Sequence, residues 1–144
     1  MKLINLIFVF FSFFLVSACG GSDKKKTVST DQKITLSEKD LEQGAVLFRA
    51  KCMNCHMQSG KGIEKFYPPL AGSDYLRDNL EDAIHMVKFG SNKPIKVNEV
   101  KYNGLMPASG LTDEELVLVF NFVLNSWGND YGSVTLDQVK AIKR

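Results

Sequence analysis

The sequence predicts a single all-α domain, and three stretches carry that expectation. Leu41, Ala45, Phe48 and Cys52 recur on one face at helical spacing, and Leu76, Leu80, Ile84 and Val87 do the same between Ser73 and Phe89. Behind Thr112, the residues Leu116, Val119, Phe120, Val123 and Trp127 form a broad apolar stripe that Phe122 widens. A chain of 144 residues has room for one such domain. The formal charge is only +2, the basic residues are scattered, and their one run, Lys24 to Lys26, lies in a polar tract. That pattern argues against a nucleic-acid partner.

In chain order, Leu3 to Val16 is a nearly unbroken apolar segment behind Met1-Lys2, too short for an ordinary membrane-spanning helix, so residues 1–18 read as a signal peptide. Leu15-Val16-Ser17-Ala18-Cys19 resembles a bacterial lipobox, with Val16 where the strongest form has Leu. The resemblance implies that Cys19 is acylated and becomes the first mature residue; an uncleaved anchor and a soluble secreted form are the alternatives. Each buried methylene of an acyl chain contributes roughly 0.8 kcal/mol, so a lipoprotein's several chains make a lasting membrane anchor. All three readings export the chain, and the favoured one leaves it lipid-anchored on the periplasmic side of a bacterial membrane. Residues 19–35 complete the tether. From Gly20 the only large apolar residues are Val28 and Ile34, too few to drive folding. As a flexible coil this stretch spans roughly 20 to 24 Å.

The folded part is expected over residues 36–129. Ser37 is placed to cap the first helix, with Leu36 and Leu41 on either side as a possible staple. That helix leads into Cys52-Met53-Asn54-Cys55-His56, where two thiols three positions apart are followed directly by an imidazole. The spacing suits thioether bonds to both vinyl groups of one haem, with a nitrogen ligand beneath the iron. Taken alone, the motif also admits a thioredoxin-like redox pair, which needs a preceding strand where this chain predicts helix. It further admits a zinc site, for which His85 is the one fourth ligand left if Cys19 is acylated, since the chain has three Cys and two His. Export favours haem, because a free pair of thiols would tend to oxidise outside the cytoplasm.

With Gly44-Ala45-Val46-Leu47-Phe48 before these cysteines, the chain resembles the class I cytochromes c. In that family the glycine lets the last long helix approach and the aromatic packs on it, which implies contacts of Gly44 and Phe48 near Val119 and Phe122. Met57 to Phe66 is polar and glycine-punctuated, a loop over the haem face. Tyr67-Pro68-Pro69-Leu70-Ala71-Gly72 is similar to the family's proline-leucine-x-glycine turn. Aligned on Leu70 and Gly72, the resemblance implies that the Pro68 carbonyl accepts the proton on the unligated nitrogen of His56. Without it, Pro68-Pro69 is simply a rigid turn.

Ser73 to Phe89 reads as a helix broken near Asp78-Asn79 and closed at Gly90. His85 and Met86 lie within it and are set aside as iron ligands, the first as a polar-face residue and the second as core. Ser91 to Glu99, with Pro94, reads as a loop over the haem propionate edge. Tyr102-Asn103-Gly104-Leu105-Met106-Pro107 then supplies the distal candidate. Met53 and Met57 lie too near His56 in sequence to cross the iron, whereas Met106 leaves the chain room to wrap around. A thioether is a soft, neutral donor, and Pro107 holds the loop extended. Methionine followed by proline at such a distance is what the family uses. Glu99-Val100-Lys101 departs from the family's commoner glycine and leaves the loop details near the propionates open.

Thr112-Asp113-Glu114-Glu115 is a capping box with its acids at the positive end of the helix dipole, and Ser126-Trp127-Gly128-Asn129 ends that helix. In the tail, residues 130–144, a short helix with Leu136, Val139 and Ile142 inward is predicted. The resemblance therefore implies a class I cytochrome c fold, its helices wrapped around one covalent haem c that also fills the core. It is closest in pattern to the cytochrome domains that accompany quinoprotein dehydrogenases, copper nitrite reductases and haem-copper oxidases. It implies an electron carrier, not an enzyme, serving redox protein partners such as a reductase, dehydrogenase or terminal oxidase. A haem enzyme or gas sensor with an open sixth site is the rival. Over residues 36–129, 10 Lys and Arg face 12 Asp and Glu, a balance that does not choose the partner's charge.

Overall fold

The computed structural model describes residues 36–144; the signal peptide, acylated Cys19 and linker expected over residues 1–35 lie outside the described residues. Ser37 Oγ accepts the backbone N–H of Asp40 at 3.1 Å and opens α1 (Glu38–Lys51). A one-turn helix, α2 (Met53–His56), follows almost without a break. Ser73 caps α3 (Asp74–Asp78) through the N–H of Leu76. Asn79 interrupts the ladder, and α4 (Leu80–Phe89) continues to Gly90, whose φ of 81° favours glycine.

Ser91 to Glu99 is not a loop throughout. Strands β1 (Ile95–Val97) and β2 (Val100–Tyr102) pair antiparallel, with Ile95 opposite Tyr102 and Val97 opposite Val100. Asn98 and Glu99 form the two-residue turn, both with positive φ, as a right-twisted hairpin demands. Each hairpin end turns one side chain inward, Val97 and Tyr102, and both are buried. Glu99 stands where glycine is commoner. Its left-handed backbone is accompanied by an ion pair to Lys96 at 2.5 Å, and reciprocal hydrogen bonds between Asp74 and Asn98 hold the turn.

Thr112 and Glu115 form the full capping box of α5 (Asp113–Leu124). The helix ends at Leu124, so Trp127 leaves the helical stripe on which its spacing placed it and sits in the following turn with φ 55°. Its ring still packs edge-on against Phe48 and Phe122, at centroid distances of 5.1 and 5.6 Å. α1 crosses α5 at Gly44, where a Cβ would meet the Leu118 carbonyl oxygen and come within 2.7 Å of Phe122 Cβ. Gly44 is thus required by close approach of the two helices.

Thr135 and Gln138 cap α6 (Leu136–Ala141) with a second capping box. The tail belongs to the core: Val134 and Val139 are fully buried with Phe48, Leu116 and Leu124, while Leu136 stays half exposed. The buried Asn121 holds the tail by giving Nδ2–H to the Val134 carbonyl and accepting the Val134 N–H. Lys88 binds Asp113 at 2.7 Å and donates to the Val139 carbonyl, joining the end of α4 to the start of α5 and to α6. Among the described residues no helix is long and apolar enough to cross a membrane.

Candidate haem site

The end of α1, α2, the 57–72 strap, α4 and the 90–109 segment surround one mostly apolar cleft. Cys52, Cys55, His56, Pro68, Leu70 and Met106 all line it. α2 is too short to be stable by itself, but the Cys52 carbonyl accepts the His56 N–H at 2.9 Å and keeps the motif helical. Both cysteines and His56 are thereby presented from one turn.

His56 Nδ1 lies 3.0 Å from the Pro68 carbonyl oxygen. A carbonyl can only accept, so Nδ1 carries the proton and Nε2 keeps its lone pair. Burial lowers the His56 pKa, and the bond to Pro68 offsets part of that shift, so the imidazole is neutral at pH 7. A neutral, oriented imidazole is the form that binds a metal.

Burial, with a smaller contribution from Cys55, pushes the Cys52 thiol up to about 11. A redox-active thiol is shifted the other way, and α1 stands where a thioredoxin-like site needs a strand, so the thiol-exchange alternative loses its chemistry. The zinc alternative also lacks a ligand set, because among the described residues no three His, Cys, Asp or Glu side chains converge to hold an ion. His85 does not line the cleft; its ring packs on Phe89 at 5.0 Å.

Met106 is half buried, and its main chain exchanges two 2.8 Å hydrogen bonds with Ser91. Gly90, before Ser91, has a backbone conformation disfavoured for other residues, and a Cβ there would press to 3.0 Å on Ala108 N. The Gly90-Ser91 pair therefore fixes the position of the Met106 loop. Met86 is buried and also lines the cleft from α4, in keeping with a core position but nearer to the site than its mid-helix place foretold. Leu70 lines the cleft and packs on the core.

Three supporting residues carry no obvious sequence signal. Asn129 is buried; it accepts the Gly72 N–H at 2.9 Å and gives its amide hydrogens to the Leu70 and Val123 carbonyls. It ties the turn after Pro68 to the end of α5. Gly62 has φ 60°, and a Cβ on it would approach the Pro68 carbonyl oxygen to 2.6 Å. Gly60 accepts the N–H groups of Leu70 and Ala71, and the Trp127 ring covers it. An asparagine or glycine in a loop has many uses, so these roles become visible only in space.

The cleft passes a chemical test for haem. It combines two cysteines spaced for thioether bonds, one neutral imidazole with a free nitrogen, one thioether, and walls built from side chains such as Leu76, Val97 and Phe120. A planar apolar macrocycle with two carboxylates and a central iron matches that donor set.

Comparison with known proteins agrees. A family model for cytochrome c matches residues 41–127. Cytochrome c-552 of Thermus thermophilus is 34% identical over 110 residues, a match covering 69% of this chain and 83% of that protein. The fructose dehydrogenase cytochrome subunit of Gluconobacter japonicus is 33% identical, and the cytochrome c subunit of the quinone alcohol dehydrogenase of Gluconobacter oxydans is 31% identical. Each of these two matches covers 69% of this chain but only 22% of the longer relative. The cofactor is accordingly haem c, covalently attached, and the function is electron transfer. With the helical fold, the cysteine pair and these matches together, this chain belongs to the cytochrome c family.

Proposed function

We propose that this protein is a membrane-tethered single-electron carrier, with Cys52 and Cys55 as the haem attachment points and His56 and Met106 as the two iron ligands. The observation that carries the proposal is the common cleft, which a Pro68-oriented imidazole and a loop methionine both line although 50 positions separate them in sequence. When bound, haem c supplies an iron that cycles between ferric and ferrous states by single electrons. His56 offers Nε2 while Pro68 holds its tautomer. Met106 offers a soft, neutral sulfur that favours the ferrous state and raises the potential. The Gly90-Ser91 and Asn129 hydrogen bonds hold both ligand loops in one geometry, so that little rearrangement accompanies electron gain or loss. Apolar walls keep water from the metal.

In this reading residues 1–18 are removed, acylated Cys19 anchors the chain at the periplasmic side of a bacterial membrane, and residues 19–35 are the tether to the haem domain. The partners are redox proteins, with dehydrogenases favoured as donors by the two cytochrome-subunit relatives and an oxidase or reductase as acceptor. The protein passes electrons and does not itself transform a substrate.

The visible spectrum of the oxidised protein tests the ligand set. A weak far-red charge-transfer band, the family's mark of sulfur on ferric iron, is expected in the wild type and in Met86→Ala. Met106→Ala should lose it, acquire a lower potential and bind carbon monoxide or cyanide. The reverse pattern would move the ligand to Met86, and high-spin iron in the wild type would favour an enzyme or sensor with an open sixth site. For the anchor, Cys19→Ala should shift the protein from the membrane fraction to the soluble one.

A further inference from the structure

The distal side of the site hangs on the last turn of α4. The Val87 carbonyl accepts the Ser109 N–H at 2.9 Å, and Gly90 leads directly into Ser91, whose main chain exchanges two hydrogen bonds with Met106. Three main-chain hydrogen bonds thus suspend residues 106–109 from residues 87–91. Whatever fixes that end of α4 also fixes the loop that carries the Met106 sulfur.

Lys88 stands in the middle of this shelf, and its side chain does not line the cleft. Its ammonium meets Asp113 Oδ1 at 2.7 Å, the Val139 carbonyl at 3.1 Å and the Ile142 carbonyl at 3.5 Å. An ammonium has three N–H bonds and accepts none, so these three acceptors use all of them. Among the described residues this ion pair is the most shielded: its side chains are 16% and 28% exposed, whereas in each of the other four pairs both partners are at least 37% exposed. Exposed pairs contribute little, but a shielded ammonium with every proton placed is costly to disturb.

Two of the three acceptors belong to the C-terminal tail. α6 has only six residues, and the carbonyls at its end lack partners within the helix, so Lys88 supplies one. The tail meets α4 a second time where the Arg144 guanidinium lies over the Phe89 ring, 5.8 Å from its centroid. Val134 and Val139 fix the tail itself in the core. α6 lies past residue 127, where the match to the cytochrome c family ends.

We infer that Lys88 is a positioning residue for the distal ligand, and that through it the C-terminal tail braces the end of α4 from which the Met106 loop hangs. The inference rests on Met106 being that ligand and adds what keeps it in place. Lys88 acts through the main chain of residues 87–91 and touches nothing in the cleft. With the brace intact, the loop and α6 open together; without it, the loop opens by itself and admits an outside ligand more often. A merely structural Lys88 would lower the stability of the whole domain and leave the loop no looser than the rest.

Imidazole binding to the oxidised, haem-loaded protein separates the two, because imidazole must wait for the Met106 loop to open and its rate under saturating imidazole reports that opening. Lys88→Met keeps the apolar stem and removes the ammonium; it should bind imidazole about tenfold faster. In urea its far-red band should fade while the far-ultraviolet helix signal is still native. Val139→Ala, which loosens α6 in the core, should also speed binding, and joining it to Lys88→Met should add little, since both act along one path. Gly44→Ala loosens the α1–α5 crossing instead and should lower the unfolding midpoint with the imidazole rate unchanged. Should Lys88→Met fail to fold, native-state hydrogen exchange of the wild type decides: the amides of Met106 and Ser109 should open in one step with those of Val139 and Ile142. A wild-type imidazole rate in Lys88→Met, an equal acceleration in Gly44→Ala, or α6 amides that exchange freely while Met106 and Ser109 stay protected would each overturn the inference. A wild type without the far-red band would sink the Met106 assignment instead, and the amides would then decide the brace.

Discussion

Where α1 crosses α5, the buried residues are side chains in mutual contact, Phe48, Leu116, Val119 and Leu124 among them. In the strap from residue 57 to 72, which passes over the haem cleft, the one fully buried residue is Gly60. That strap is held by hydrogen bonds instead: Leu70 and Ala71 to Gly60, Gly62 to the His56 carbonyl, and Asn129 to Gly72 and Leu70. The helix crossing has its own apolar stabilisation, and each buried aliphatic or aromatic side chain contributes roughly 1.5–3 kcal/mol. The strap has little of this and needs the haem as its apolar partner. The protein thus consists of a frame that packs on itself and a clasp that closes on a cofactor.

The largest expected effect breaks the clasp and spares the frame. Cys52→Ser with Cys55→Ser should abolish covalent haem, seen as loss of colour after denaturation and extraction. Amide hydrogen exchange should then lose protection across residues 57–72 and 90–109 while α1 and α5 retain more of theirs. Uniform loss in both regions would mean that the frame, too, depends on haem.

The next breaks the frame. Gly44→Val should destabilise the protein by about 3 kcal/mol, because its branched side chain drives α1 off the Leu118 backbone and cannot relax by rotating. Denaturant unfolding measures it, and Phe48→Leu should cost less. Asn129→Ala, which joins the two regions, should cost about 2 kcal/mol by removing the hydrogen bonds that tie the part-buried Leu70 carbonyl and Gly72 N–H to the end of α5. It should also broaden the His56 ring signals, since Pro68 is no longer held firmly, a change that Gly44→Val should not produce.

The smallest concerns the rim. The Tyr75 hydroxyl, on the cleft wall, donates to Asp82, and that bond is the main reason the Asp82 pKa lies below the ordinary 3.8, with Lys93 adding to it. A carboxyl depressed in the folded state stabilises it fully above the unfolded value and loses that contribution as pH falls through the folded one. Stability measured from pH 6 down to 2 should therefore fall less steeply in Tyr75→Phe than in the wild type. The partly exposed pair contributes about 1 kcal/mol. Equal slopes would remove Asp82 from any role in holding the rim.

Much of this division is legible in the amino-acid sequence. Helical spacing marks α1, α4 and α5, and Ser37, Ser73 and Thr112 announce the starts of α1, α3 and α5 because a hydroxyl just before an apolar periodic run has few other uses. The β1–β2 hairpin escapes such reading. Its strands are three residues each, and its turn uses Asn98-Glu99, with a glutamate in a left-handed conformation that its side chain does not advertise. Trp127 fits the α5 period but lies past its end, because Asn125 and the turn to Gly128 interrupt the ladder.

What the sequence alone determined is local chemistry: the helices, and a cysteine-cysteine-histidine run whose three side chains a single turn must present together. It also named Pro68 and Met106 as candidates, through resemblance to a family. The tertiary structure decided the long-range choices. It brought the Pro68 carbonyl to His56 and set Asn129 and the Gly90-Ser91 pair behind the two loops. The physical reason is range. Helix periodicity and caps act over three or four residues, whereas a hydrogen bond between residues 57 or 59 positions apart, as Asn129 makes to Gly72 and Leu70, exists only once the chain has closed around its core.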